Sequence, residues 1–512
     1  MEDRTPPNQP PGTVKIAAGH GQRAAIVLEP TPTTDPNDPL HSISPSPTST
    51  TLSTFVLLSI SPVIWAPLNS EIGITWANLN NTFAANLTGL AVGCLIFIPF
   101  AIKYGRRSIY IASVTVQLAV AIWQAKLNTT WEVLATSAIS GLAGAVSEAL
   151  VQMTIVDLFF VHQRASANAV YHLVVNVGAH VAPVAAGYCA TKQGWRWIWW
   201  WTAVMLALTT VLFLFGLEEK KYIPVGQQLD LESEAQSTAK HERDVVPTLG
   251  SECYRLNSYR QRLRFITKTD HSLWENMYRP VRVLLTFPAV IFASLVWGCF
   301  LSWFSIISTT QSTYLPVPPY WYTPAQVGLF SLPPFIGGIL GAVLSGPLND
   351  RYIVWRAKRK QGIFEPETRL HMALPVLAAT PAGLLLFGIG LSRGWPWWSL
   401  ALGSSIFGFS MFCNGVCALT YLADCYQEIL GDALVGVAFV RNGLATAFVF
   451  ALTPWIEATG LENMFISVAW IAMALQLTII PMIIWGKTMR GWTAARYRQM
   501  VQQPGGSRIV TE

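Results

Sequence analysis

Lys103-Tyr104-Gly105-Arg106-Arg107 closes the apolar run Leu87–Ile102, and Gly346-Pro347-Leu348-Asn349-Asp350-Arg351 closes the apolar run Val327–Leu344. The two stretches hold matching places in two hydrophobic halves. A membrane span needs about twenty apolar residues. Twelve segments answer to that: 52–69, 84–103, 109–126, 132–156, 168–190, 196–217, 283–311, 325–348, 371–391, 396–423, 432–455 and 462–486. The first is short and interrupted by Pro62 and Pro67. The pattern predicts an all-α membrane protein with 12 transmembrane helices in two six-helix bundles. Its parts are a polar tail at 1–51, a bundle at 52–217, a loop at 218–282, a second bundle at 283–486 and a tail at 487–512.

Composition agrees. The chain has 512 residues, 52% hydrophobic and 12% charged, whereas soluble domains carry roughly 25% charged residues. Too little charge is present to wet a globular surface of this size, so a lipid bilayer is the expected surrounding. The 21 Trp suit membrane interfaces. The net charge of +6 sits in short clusters between apolar runs, which orient a membrane protein and make no nucleic-acid surface. Cys413 and Cys417 share a helix face, but a metal pair would need further ligands, so they read as packing residues. The first fifty residues are rich in Pro, Ser and Thr, open with no cleavable signal peptide and read as a disordered tail.

Loop charges give an orientation. With a cytosolic N-terminus, the inner loops hold Lys103, Arg106, Arg107, Arg164, the basic residues of 218–282, Arg351, Arg356, Lys358, Arg359, Lys360, Lys487 and Arg490. The opposite loops hold Lys126, Lys192, Arg196 and Arg393. This asymmetry obeys the positive-inside rule, with the acidic loop 424–431 departing from it. Asn80-Asn81-Thr82 and Asn128-Thr129-Thr130 then read as outer glycosylation sequons at Asn80 and Asn128. Residues 254–282 are basic and amphipathic, which suits either the inner leaflet or a solvated connector. A duplicated bundle with charged ends on one side is the layout of an alternating-access carrier.

The chain resembles the major facilitator superfamily, specifically the fungal drug:proton antiporter branch that also holds polyamine and histidinol permeases. Six pieces carry the resemblance across roughly 30–490: Asp35-Pro36-Asn37-Asp38-Pro39-Leu40, Tyr104-Gly105-Arg106-Arg107, Asp157-Leu158-Phe159-Phe160-Val161-His162-Gln163-Arg164, Gly194-Trp195-Arg196-Trp197, Pro318-Pro319-Tyr320-Trp321 and Gly362-Ile363-Phe364-Glu365-Pro366-Glu367-Thr368-Arg369-Leu370. The resemblance implies two six-helix bundles around a substrate cavity. The chain departs from the family pattern at Ile98 and Ile102, which replace a Gly and an Asp, and at Ser137, which replaces the Arg of proton-coupled members. The antiporter pattern of the fifth span is softened to Gly178-Ala179-His180-Val181-Ala182-Pro183-Val184-Ala185-Ala186-Gly187.

An ionisable group within a span costs about 2.5–3.5 kcal/mol on insertion scales. Glu148, well inside the fourth span, is therefore a candidate proton site or counter-ion, against a structural reading as a hydrogen-bonded carboxyl. His180 is a second coupling candidate, although a lone membrane His more often packs. Asp157 and Asp424 end the fourth and tenth spans at equivalent places. Pairing with Arg106/Arg107 and with Arg351 would make a cytoplasmic gate, together with Lys103, Arg164 and Asp350. Static bridges are the plain alternative. Trp65, Asn176, Trp297, Trp303, Tyr421 and Asn442 are candidates for the cavity wall, with packing and lipid contact the better reading of any single aromatic, while Arg441 balances Asp424 or contacts substrate.

Enzyme readings fail on specifics. Gly486-Lys487-Thr488 imitates a phosphate loop, but Pro481 stands at the leading Gly. No zinc-protease or nucleophile-elbow motif occurs. No cofactor or metal is expected. The expected partners are a small organic substrate, protons and lipid, and the expected state is a monomer. The leading expectation is proton-coupled export across the plasma membrane, with the vacuolar membrane as another location. Uptake of a small organic cation such as a polyamine and a non-transporting sensor are the alternatives.

Overall fold

The computed structural model describes residues 10–11, 13–15, 48–158, 161–216, 273–359 and 363–502. Nearly all of them are helical. The first half comprises α1 (Thr48–Ile60), a 3-10 turn (Ser61–Ile64), α2 (Trp65–Ile72), α3 (Trp76–Tyr104), α4 (Arg106–Gln124), α5 (Thr130–Leu158), α6 (Val161–Gln193) and α7 (Trp195–Gly216). The second half opens with α8 (Leu273–Thr286) and α9 (Pro288–Tyr314). It continues through α10 (Pro324–Leu329), α11 (Leu332–Val343), a π turn (Leu344–Leu348) and α12 (Asn349–Arg359). A 3-10 segment (Pro366–Val376), α13 (Ala379–Ser392), α14 (Trp397–Cys425), α15 (Leu430–Thr459), α16 (Leu461–Leu477) and α17 (Ile479–Gln502) complete it.

Pro62 and Pro67 do not break the first span. A 3-10 turn absorbs Pro62, and Thr51–Ile72 remains one helical path long and apolar enough to cross a membrane. Nine such paths occur among the described residues. The expected spans at 109–126, 132–156 and 168–190 fall on α4, α5 and α6.

Local chemistry sets the helix ends. Thr75 caps α3 by accepting from the Asn78 amide. Thr323 and Gln326 form a reciprocal capping box at the start of α10. Gly105 alone separates α3 from α4, with φ 104°, a region that a side chain rarely tolerates.

Each half buries its own core. One is centred on residues such as Leu68, Leu87, Val114, Val146 and Phe213, the other on Phe300, Phe387, Leu422 and Phe465. Helix seams inside the halves are lined by small residues in matching places. Gly89, Gly93 and Gly141 let α3 and α5 touch, and Gly337 and Gly341 do the same for α11 and α14. The first core also takes in Leu301 of α9 and Val435, Ala438, Ala445 and Val449 of α15, so the halves pack directly on each other.

Two short strands lie at the basic end. Val14–Lys15 (β1) pairs antiparallel with Ile363–Phe364 (β2). Part of the segment expected to be a disordered tail is therefore docked, and α1 begins at Thr48, inside its expected boundary.

Candidate functional site between the two halves

Glu148 lies in the interior of α5, behind Gly144 and Ser147, with 4% of its surface exposed. Its carboxylate meets α15 of the other half. Arg441 Nη2 stands 2.5 Å from Glu148 Oε2, and Asn442 Nδ2 donates to the same oxygen at 2.7 Å. Tyr171 of α6 donates its hydroxyl to the Glu148 backbone carbonyl at 3.4 Å. Two buried charges are tolerable only as a well-oriented pair with extra hydrogen bonds. Among the described residues, this is the ion pair that joins the two halves. Arg441 therefore serves Glu148, and the expectation that it balances Asp424 is corrected. Asn442, expected to line a cavity, is a ligand of the Glu148 carboxylate. The Arg441 Nε and Asn442 Oδ1 atoms are buried beside the pair without a hydrogen-bond partner.

A second meeting place lies around His180. Its ring stands edge-on to Phe304 of α9 at 5.5 Å and tilted to Phe335 of α11 at 6.2 Å. It lines a cavity of about 30 Å³ between the halves, with Ser59, Gln311, Ser331, Pro334 and Phe407 among the other walls, room for about one water. Asn176 is buried one turn away and faces Gly338 of α11. The aromatic candidates lie elsewhere. Trp65 belongs to the core of the first half, and Trp297, Trp303 and Tyr421 to that of the second. Trp303 packs edge-on against Phe448 at 4.9 Å, and Tyr421 against Phe292 at 6.2 Å. None of the four lines the His180 cavity. Phe304 and Phe407 take that place.

The second of the two stretches that opened the sequence ends in contacts other than those expected. Arg369, in the 3-10 segment, pairs with Asp424 through Nε and with Asp350 through Nη1 at 3.4 Å. Arg351 is exposed and makes no ion pair among the described residues, so its expected pairing with Asp424 is corrected. Asp350 likewise faces Arg369. Arg107 is buried and donates to the Leu214 carbonyl at 2.8 Å, tying α4 to the end of α7. Arg106 is half-buried, and Lys103 lies over the Tyr104 ring at 5.8 Å. The side chains of Asp157 and Arg164 lie outside the described residues. Arg490 and Glu367, which sequence reasoning did not single out, form a buried bidentate pair with both Nη2 distances at 2.7 Å. Alternating charges at Glu365, Glu367 and Arg369 were the signal for this end.

Asn80 cannot carry a glycan in this fold. It is buried in α3, and its Nδ2 donates to the Val449 carbonyl at 2.7 Å and to Thr453 at 3.3 Å across the halves. Asn128 is exposed between α4 and α5. Among the described residues, no cluster of three or more His, Cys, Asp or Glu is placed to hold a metal ion.

Two halves built of helices long and apolar enough to cross a membrane thus meet around a buried charge pair. The Major Facilitator Superfamily model matches residues 48–449, and the chain belongs to that family. An uncharacterized MFS-type transporter, C1271.10c of Schizosaccharomyces pombe, is 31% identical, over 92% of this chain and 89% of its own. Protein HOL1 of Saccharomyces cerevisiae is 27% identical, over 94% and 93%. The efflux pump radE of Floropilus chiversii is 25% identical, over 79% and 72%. A solved POT family transporter in complex with 5-aminolevulinic acid shares the fold at TM-score 0.61 and 13% identity, covering 88% of this chain and 96% of that one. The chain is thus a multi-pass membrane transporter of this superfamily.

Proposed function

We propose that this chain is a proton-coupled exporter of small organic molecules that works by alternating access, with Glu148 as the coupling group. The supporting observation is the Glu148–Arg441 pair between the halves. A contact made in only one arrangement of the halves biases their equilibrium by its differential free energy. A proton that takes the Glu148 carboxylate removes the charge that holds Arg441. The α5–α15 contact then loosens, and the cavity opens to the other side. With no nucleotide-binding signature in the chain, the driving force in this reading is an ion gradient. Twelve spans, cytosolic termini, a plasma-membrane location and a monomeric state belong to the same proposal. The family relative named as an efflux pump supports the outward direction.

The test is flux. Cells lacking the gene should retain more of a fluorescent amphiphilic dye than cells that carry it. In vesicles, Glu148→Gln should abolish the response of dye flux to an imposed pH gradient. Equal retention with and without the gene would remove export, and a pH response that survives Glu148→Gln would remove Glu148 from coupling.

A further inference from the structure

We propose that the basic end of the second half carries a docking site for an extended peptide segment, filled in cis by the chain's own residues around Thr13, and that docking stiffens the junction of α12, α14 and α17. Arg490 of α17 is almost fully buried, its side chain 1% exposed. Nε and Nη2 are taken by Glu367, at 2.9 and 2.7 Å. Nη1 donates instead to the Pro11 carbonyl and lies 3.5 Å from Thr13 Oγ1. Thr13 itself is 3% exposed. Immediately beyond it, β1 adds to β2, with Val14 opposite Phe364 and Lys15 opposite Ile363.

The stretch that receives this segment is also the one that joins the helix ends. Glu365 pairs with Lys487 of α17 at 2.9 Å, Glu367 with Arg490, and Arg369 with Asp424 of α14 and Asp350 of α12. A strand added to β2 therefore restrains one shared support of three helices. The Arg490–Glu367 pair is already neutral, so the remaining donor calls for a neutral acceptor. A peptide carbonyl meets that need without adding charge, whereas an anion would leave a buried excess. Strand pairing plus carbonyl capture is backbone recognition of the β-addition kind.

The segment is a tethered ligand. The chain between Lys15 and Thr48 reaches about 100 Å when extended at roughly 3.3 Å per residue. The segment can thus leave and return while α1 stays folded, at an effective concentration on the order of mM.

The experiment uses the purified full-length protein in lipid nanodiscs and a version lacking residues 1–15. A fluorescent synthetic peptide of residues 8–17 should bind the truncated protein at least tenfold more tightly than the full-length one, whose own segment competes. Val14→Pro in the full chain, combined with Lys15→Pro so that the strand keeps no amide to donate, should admit the peptide. It should also raise amide hydrogen exchange across residues 363–370 at least tenfold. The peptide carrying the same two substitutions should fail to bind the truncated protein. Absence of peptide binding to the truncated protein would overturn the docking site. Exchange that is equal in full-length, truncated and doubly substituted proteins would overturn the stiffening. Arg490 is left intact, because its loss would strand Glu367 as a buried charge.

Discussion

Adding one methyl group at Gly328 or Gly187 should shift the carrier between its two arrangements. At the end opposite the basic loops, α6 and α10 cross without side chains between them. A Cβ at Gly328 would fall on the Pro183 carbonyl oxygen and 3.1 Å from its carbon. A Cβ at Gly187 would fall on the Pro324 carbonyl oxygen and 2.9 Å from Ala325 Cα. These are backbone atoms, which cannot swing aside, so the helices must part. Overpacking of this kind costs about 1–3 kcal/mol. In the arrangement where this end is open the methyl meets nothing, so the whole cost bears on the closed form. The gain of about 1 kcal/mol in helix propensity from Gly to Ala acts equally in both forms and cancels. Each substitution should therefore move the equilibrium about five- to 150-fold toward the form open at this end, at 1.4 kcal/mol per tenfold. A single cysteine at Ser308, on the cavity wall, reports the change in a background with the native cysteines replaced. Its reaction with a membrane-impermeant thiol reagent should speed up at least fivefold from the side opposite the basic loops and slow down from the other. Unchanged labelling from both sides in a well-folded Gly328→Ala protein would show that this crossing does not open, and the reasoning would fail.

Three other parts of the molecule give outcomes of their own. Arg441→Ala leaves Glu148 buried without its counter-charge and should cost about 3–5 kcal/mol of stability, read as a lower thermal midpoint in detergent; adding Glu148→Gln should restore most of it. Asn128→Gln should abolish any endoglycosidase-sensitive gel shift. Asn80→Gln should leave that shift intact, because Asn80 is sequestered by Val449 and Thr453. Arg369→Lys keeps the charge but loses the planar fork that reaches Asp424 and Asp350 together. It should raise amide exchange at the end of α14 and leave the start of α3 unchanged.

The fold was readable because the bilayer demands long apolar runs and because the same pattern occurs twice. Glu148 was readable for a related reason: an acid deep within a span is costly and stands out. Its partner was not, since Arg441 lies 293 positions along the chain and looks like a residue near the start of a span. Asn80 shows the limit of a three-residue motif. Its accessibility depends on Val449, 369 positions away, and no local signal carries that. Asp424 ends α14 and Asp350 begins α12, but Arg369 rather than Arg351 reaches Asp424, because the 3-10 segment folds back over the end of α14. The large aromatics carried two readings, and the plainer one, packing, holds. Trp65, Trp303 and Tyr421 fit a ligand wall by chemistry, yet bulk also fills cores, and packing claimed them.

The glycine seams of α3 with α5 and of α11 with α14 each join two helices of the same half. A bulky lesion there would strike while the chain is being inserted and assembled. It would be removed by cellular quality control before turnover could be measured. Missing protein, not sluggish protein, is how such an allele would present itself.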